Sequence, residues 1–209
     1  MWNNRANREE YTVDGHQVYL VPDELMGNPR ESWDHLGIMT CLHQRYQLGD
    51  NPGEYSARDF NGWSELAEEL KERGAVVMLP LYLLDHSGIT MSVGSFHNVD
   101  PGGWDSGRVG FIWTTRERVK ARSEWKRLTQ KRMREVEEWL RAEVREYDQW
   151  LTGDVWGYQV VDGRGEELDS CWGFLGMDEA RLEADRAVRT TVTQQHVSAY
   201  AANIACCTP

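Results

Sequence analysis

The sequence predicts an α+β fold: a mostly antiparallel sheet with one long helix and two shorter helices. Three observations carry this. Asp14-Gly15 and Asp162-Gly-Arg-Gly165 each stand between strand-like runs, the signature of a hairpin. Two further strands, Ile89–Val93 and Arg108–Thr114, each follow a turn, at Asp85–Gly88 and Trp104–Gly107. A helical stretch opens on the capping box Thr114-x-x-Glu117 and stops at Gly153.

In chain order, Tyr11–Val13 and Val18–Val21 form the first hairpin. A loop rich in turn residues (Pro22, Gly27, Asn28, Pro29) follows, then a short strand over Ile38–His43 and a second loop over Gly49–Gly53. Residues 61–73 form an amphipathic helix, because Trp63, Leu66, Ala67 and Leu70 recur at helical spacing and Gly74 suits a left-handed cap. Ala75–Leu79 reads as a buried strand. Pro80 interrupts it, which places Leu81–Leu84 at a sheet edge or after a bulge. Ile89–Val93 and Arg108–Thr114 are further strands, with turns at Asp85–Gly88 and Trp104–Gly107. Val155–Val161 and Glu166–Phe174 make the second hairpin. A final helix runs from Asp178 to about Thr190, and the tail 191–209 is weakly patterned.

The long helix would hold about 36 residues, roughly 54 Å, against roughly 43 Å across a compact domain of this size. Its C-terminal half carries an apolar stripe (Val136, Leu140, Val144, Tyr147, Leu151) that belongs on the sheet. Its N-terminal half, 116–134, offers only Val119, Trp125, Leu128 and Met133. That half is expected to project, kink or pair with something else.

At 209 residues, 40% apolar and 27% charged, the chain reads as one globular domain spanning 1–209. The first 20 residues hold no apolar run, which predicts no secretory signal. The longest apolar stretch, Ala75–Leu84, is too short to cross a bilayer. Cys41, Cys171, Cys206 and Cys207 lack C-x-x-C spacing and read as reduced thiols, so a cytoplasmic location is expected. A formal charge of −11 disfavours a generic nucleic-acid binder. Residues 116–134, however, hold nine Lys or Arg against Glu117 and Glu124, a local +7, so the rest of the chain carries −18.

Catalytic candidates are few. Cys41 and His43 share a strand face, the minimal unit of thiol nucleophilic chemistry, or equally a small apolar residue and an edge histidine. Asp85-His86-Ser87-Gly88 closes an apolar strand with a carboxylate, an imidazole and a hydroxyl suited to acid–base work, and is also ordinary turn chemistry. Asp105-Ser106-Gly107 has the tripeptide of aspartic proteases without a second copy, which favours a turn. The six histidines (16, 35, 43, 86, 97, 196) are dispersed without metal-ligand spacing, and no Gly-rich phosphate loop is present, so no metal and no cofactor is expected. Binding candidates are Arg118, Arg122, Lys126, Arg127 and Lys131 in the basic segment, with Trp104 and Trp125 as aromatic anchors.

Several stretches together resemble a family of uncharacterised proteins from phages and other mobile elements. They are Trp33-Asp-His-Leu-Gly37, Cys41-Leu-His43, Tyr46-Gln-Leu-Gly-Asp50, Leu81 to Thr90, Trp104 to Ile112, Tyr147 to Gly153 and Asp169 to Phe174. The resemblance spans about residues 33–176 and brings no catalytic roles with it. It implies an accessory protein of a mobile element, a class that often counters host defence. The expectation is therefore a non-enzymatic inhibitor of a host restriction or CRISPR component, acting by charge-segregated protein binding or by nucleic-acid mimicry through its acidic body. Its partner would be a host protein or protein–nucleic-acid complex, with no membrane association and self-association open. The competing expectation is an enzyme or small-ligand binder acting on a nucleotide or phosphorylated metabolite through Asp85, His86 and Asp105.

Overall fold

A computed structural model describes residues 8–206 except residue 51, with side chains described through Thr193. The fold is α+β with antiparallel sheets throughout. In place of a single core, the chain divides into two compact units. One comprises residues up to Met26 and from Gly153 on, and the other is the intervening Gly27–Thr152. The second unit is thus an insertion between two strands of the first.

The first unit holds β1 (Glu9–Val13), β2 (His16–Pro22), β7 (Val155–Val161) and β8 (Glu167–Leu175) in the order β1-β2-β7-β8. The β1–β2 turn is made by Asp14 (φ 47°) and Gly15 (φ 78°), two left-handed residues in succession, as an Asp-Gly hairpin requires. Helix α5 (Met177–Cys206) packs on the sheet through Ala180, Ala184, Ala187 and Val188, against Val18, Leu20, Tyr158 and Val160. The small alanines let the helix backbone approach closely. Its backbone continues sixteen residues past the expected end at Thr190. Weak apolar patterning there does not signal a stop, because no Gly or Pro precedes Pro209 and alanine and glutamine favour helix. The side chains of His196 and Cys206, and all of Cys207, lie outside the described residues.

The inserted unit begins with one helical turn, α1 (Pro29–Ser32). Its sheet is β3 (Ile38–Cys41), β4 (Ala75–Asp85), β5 (Ile89–Ser92) and β6 (Ser106–Thr115), ordered β3-β6-β4-β5. Helix α2 (Trp63–Glu72) covers one face, with Leu66 and Leu70 on Phe111 and Trp113. Helix α4 (Gln130–Thr152) covers the other, with Val136, Leu140, Val144 and Tyr147 on Leu79, Leu81, Leu83 and Ile112. With both faces covered, the central strands read as near-continuous apolar runs. Gly110 lets β3 approach β6, since a Cβ there would stand 2.0 Å from the Thr40 carbonyl oxygen. Pro80 sits in β4 where β6 pairs on one side, while β5 begins pairing only at Tyr82. A bulge follows at once between Leu81 and Tyr82. Pro80 therefore does not interrupt β4, and Tyr82–Leu84 are paired on both sides instead of forming an edge; of the two alternatives only the bulge holds.

The long helix differs from its expectation. It is broken into α3 (Arg116–Arg122) and α4, with residues 123–129 between. Ser123 ends α3 by donating both its backbone N–H (3.0 Å) and its Oγ (2.7 Å) to the Val119 carbonyl. Thr129 restarts the chain, its Oγ1 accepting from Arg132 N (3.4 Å) and its carbonyl from Met133 N (2.9 Å). On an unbroken helix Val119, Trp125, Leu128 and Met133 would point in different directions. The break turns all four onto the core, so the basic half neither lacks apolar anchors nor extends freely.

Candidate functional site

Two turns that are distant in sequence converge at the end of the inserted sheet. The backbone N–H of Asp85, the last residue of β4, donates to the Asp105 carbonyl (2.8 Å), and His86 Nδ1 lies 2.9 Å from Asp105 Oδ2. The loop entering β6 is held by Asp100, which accepts from the N–H groups of Trp104, Asp105 and Ser106 and from Ser106 Oγ. Burial opposes ionisation of Asp100, but these donors outweigh it and hold its carboxyl below the usual range. Tyr46 OH donates to both Asp85 oxygens at 3.1 Å, and Arg45 Nη1 stands 3.4 Å from Asp85 Oδ2.

An open cleft of about 530 Å³ runs between these groups, lined by His43, Arg45, Asp85, Trp104, Asp105 and Arg108. Arg108 Nη2 donates to Tyr82 OH (2.8 Å), while its Nε is buried without a hydrogen-bond partner. Asp85, His86 and Asp105 are thus brought together. A histidine held by a carboxylate at Nδ1 keeps its Nε2 available for proton transfer or for donating to an anion. The pair is open to solvent, with side-chain exposures of 71% and 48%.

The thiol candidate does not join it. His43 Nδ1 accepts from Arg45 N (3.2 Å) and Tyr46 N (3.1 Å), and its ring stacks on Tyr46. Burial, with Asp50 adding to it, pushes the Cys41 thiol up to about 12. It therefore stays protonated at neutral pH and is a packing residue. Cys171 lies on β8 of the other unit. Ser106 Oγ donates to Asp100 and is not directed at His86. Among the described residues, no group of three or more His, Cys, Asp or Glu could hold a metal ion.

Of the basic segment's cations, Arg118 is taken up structurally, donating to the carbonyls of Leu36 (2.9 Å) and His35 (2.6 Å). Arg132 donates to the Arg127 carbonyl and lies over the Trp125 ring. Trp125 itself is part-buried and stacked on Trp139 (5.2 Å), so it is an internal support and not an exposed anchor. Arg116, Lys120, Arg122, Lys126, Arg127, Lys131 and Arg134 are exposed, and Trp104 is 90% exposed.

Sequence reasoning missed the buried ionic centre of this unit. Arg30, with 1% of its side chain exposed, forks onto Asp50 (2.6 and 2.7 Å) and donates to Glu143 (3.0 Å) and to the Gly37 carbonyl (2.9 Å). Glu143 also accepts from Leu36 N and Gly37 N, and Asp50 from Met39 N. Glu143 carried a signal: it stands between Leu140, Val144 and Tyr147 on the buried face of α4. No protein-family model, curated protein or solved structure matches the chain.

Proposed function

We propose that the protein acts by binding: an accessory protein of a phage or other mobile element that docks on a host defence factor and inhibits it. The observation supporting this reading is the concentration of exposed cations in residues 116–134. Seven exposed cations stand on a segment whose Val119, Trp125, Leu128 and Met133 are anchored in the core. Fixed cations on an otherwise acidic chain favour an acidic partner surface and repel a basic one, and they speed encounter at low salt. The exposed Trp104 adds a large amphipathic side chain that a partner could desolvate. No helix among the described residues is long and apolar enough to cross a membrane.

The test is affinity capture from a host carrying restriction and CRISPR systems, comparing the native chain with a Lys120→Gln, Lys126→Gln, Lys131→Gln variant. A nuclease or nucleic-acid-handling complex should be captured by the native chain, lost in the variant, and weakened by salt. Equal capture by both, or capture of no such complex, overturns the reading. Direct binding of naked duplex with the same salt dependence would assign the face to phosphates in place of a protein.

A second reading has its own observation. Asp105, which holds His86, lines a cleft together with Arg45 and Arg108, and these cations suit an anionic ligand such as a nucleotide or phosphorylated metabolite. Native mass spectrometry of the purified protein discriminates. A co-purified nucleotide lost on joint Asp85→Ala and His86→Ala replacement supports it, and a clean apo mass supports the first.

A further inference from the structure

A different cavity, of about 440 Å³, lies along α4 in the inserted unit, and of its lining only Arg122 belongs to the basic segment and none to the anion cleft. Trp139, Ala142, Glu143 and Glu146 recur at i, i+3, i+4 and i+7, so they share one face of the helix. Trp33, Asp34, His35 and Leu36 line the same cavity from the loop after α1, and Arg122 lines it from α3. Two of the wall residues are large, exposed aromatics: Trp33 at 45% and Trp139 at 38%. Trp139 is braced from behind by its stack on Trp125, with ring planes 18° apart. A braced indole loses little freedom on binding.

The charged groups here differ in their commitments. Glu143 is fully engaged by Arg30, Leu36 N and Gly37 N. Arg122 stands 4.0 Å from Asp34. Glu146 is half-buried, yet among the described residues no hydrogen bond or ion pair reaches its carboxylate. Arg30, His35 and Arg145 act on its charge from a distance and offset burial only in part, so a cation in direct contact is favourable there. Tryptophan faces beside a carboxylate form the environment that recognises alkylated ammonium groups, through the ring quadrupole and the counter-charge together.

We propose that this cavity is a binding site for an organic cation of the alkylammonium class, with Trp33 and Trp139 as its walls and Glu146 as its counter-ion. The cation could be a free small molecule or a methylated lysine side chain on a partner, and the chemistry is the same for both. The proposal shares one residue with the basic segment, Arg122, whose charge is directed to Asp34 at 4.0 Å on the cavity wall.

The experiment titrates the full chain with choline and with 3,3-dimethylbutan-1-ol, its neutral isostere, by calorimetry and by indole N–H shifts in NMR. Choline should bind with shifts at the Trp33 and Trp139 indoles, and the isostere about tenfold more weakly or not at all. Glu146→Gln and Trp33→Ala should each weaken choline binding about tenfold, and Trp104→Ala should leave it unchanged. Glu146→Gln is isosteric and removes an unpartnered charge, so its folded spectrum serves as the control that lost binding is not lost folding. A trimethyllysine peptide that binds more tightly than choline assigns the cation to a partner protein; equal affinity assigns it to a small molecule. Equal binding of choline and its isostere, unchanged affinity in Glu146→Gln, or no choline binding overturns the proposal.

Discussion

The inserted unit contains two ionic constellations that would look alike as a list of residues and are opposite in physical character. Around Arg30 a guanidinium with 1% of its side chain exposed meets two mostly buried carboxylates, and it donates to Asp50, Glu143 and the Gly37 carbonyl. Around His86 an imidazole and a carboxylate meet at 2.9 Å in the open, both largely exposed to solvent. The first arrangement fixes where the Trp33–Leu36 loop, the Asp50 loop and α4 sit. The second leaves capacity over. Complete satisfaction marks a structural centre, and residual capacity marks a place where something else can bind.

The largest expected effect breaks the first half of this contrast. Arg30→Ala leaves Asp50 and Glu143 in a buried site without their cation. It should destabilise the inserted unit by about 3–5 kcal/mol, measured by urea denaturation. Arg30→Lys should recover only part of that, because an ammonium cannot reproduce the two-point fork onto Asp50. A loss below about 1 kcal/mol in Arg30→Ala would mean that the centre is not what orders the loops.

A smaller effect sharpens the contrast at its border, where Glu146 is half-buried next to the satisfied centre. Burial, and then the neighbouring Glu143 charge, raise its pKa, while His35, Arg30 and Arg145 pull it back. A carboxyl whose folded pKa is raised binds its proton more tightly in the folded state. Its ionisation therefore removes stability as pH rises from the ordinary glutamate range through the raised value. Glu146→Gln should accordingly raise the thermal midpoint at neutral pH and leave it unchanged below about pH 4, where the acid is protonated in both states. Thermal melts of the two proteins across pH 3.5–8 check the sign. A lower midpoint at neutral pH in the variant would show that Glu146 has a partner and is not waiting for one.

How much of this was legible follows from range. Both hairpins were readable because Asp14-Gly15 and Asp162–Gly165 act locally on the residues either side of them. Helix α2 and its Gly74 end were readable for the same reason. A kink in the basic half was among the expectations, but its place at Ser123 was not legible, because Ser123 and Thr129 are compatible with helix and the burial of Trp125 and Leu128 decides otherwise. The insertion of one unit into the other was equally silent, since β2 pairs with β7 across the whole inserted unit and no local signal encodes that partner. At the sites, Asp85, His86 and Asp105 were chosen one turn at a time as residue types. Their meeting depends on the β4–β6 register, which a sequence does not print. Arg30 was invisible because nothing adjacent to it in the chain is among its charged partners.

The smallest expected effect tests the other half of the contrast. The His86–Asp105 pair is exposed on both sides, so solvent screens it and holding the two side chains together opposes the attraction. Replacing His86 by Ala, or Asp105 by Asn, should therefore change stability by less than about 1 kcal/mol. The Asp85–Asp105 backbone bond and the Asp100 cage keep the two turns in place without the pair. The measurement is denaturation of each single variant and of the double, so that the coupling between the two residues is read directly. A coupling near zero leaves the pair free to serve a ligand, because removing it harms only what binds there. A coupling above about 2 kcal/mol would make the pair a clasp for the two turns, place it with Arg30 on the structural side, and remove the ground for any reading of the cleft as a site.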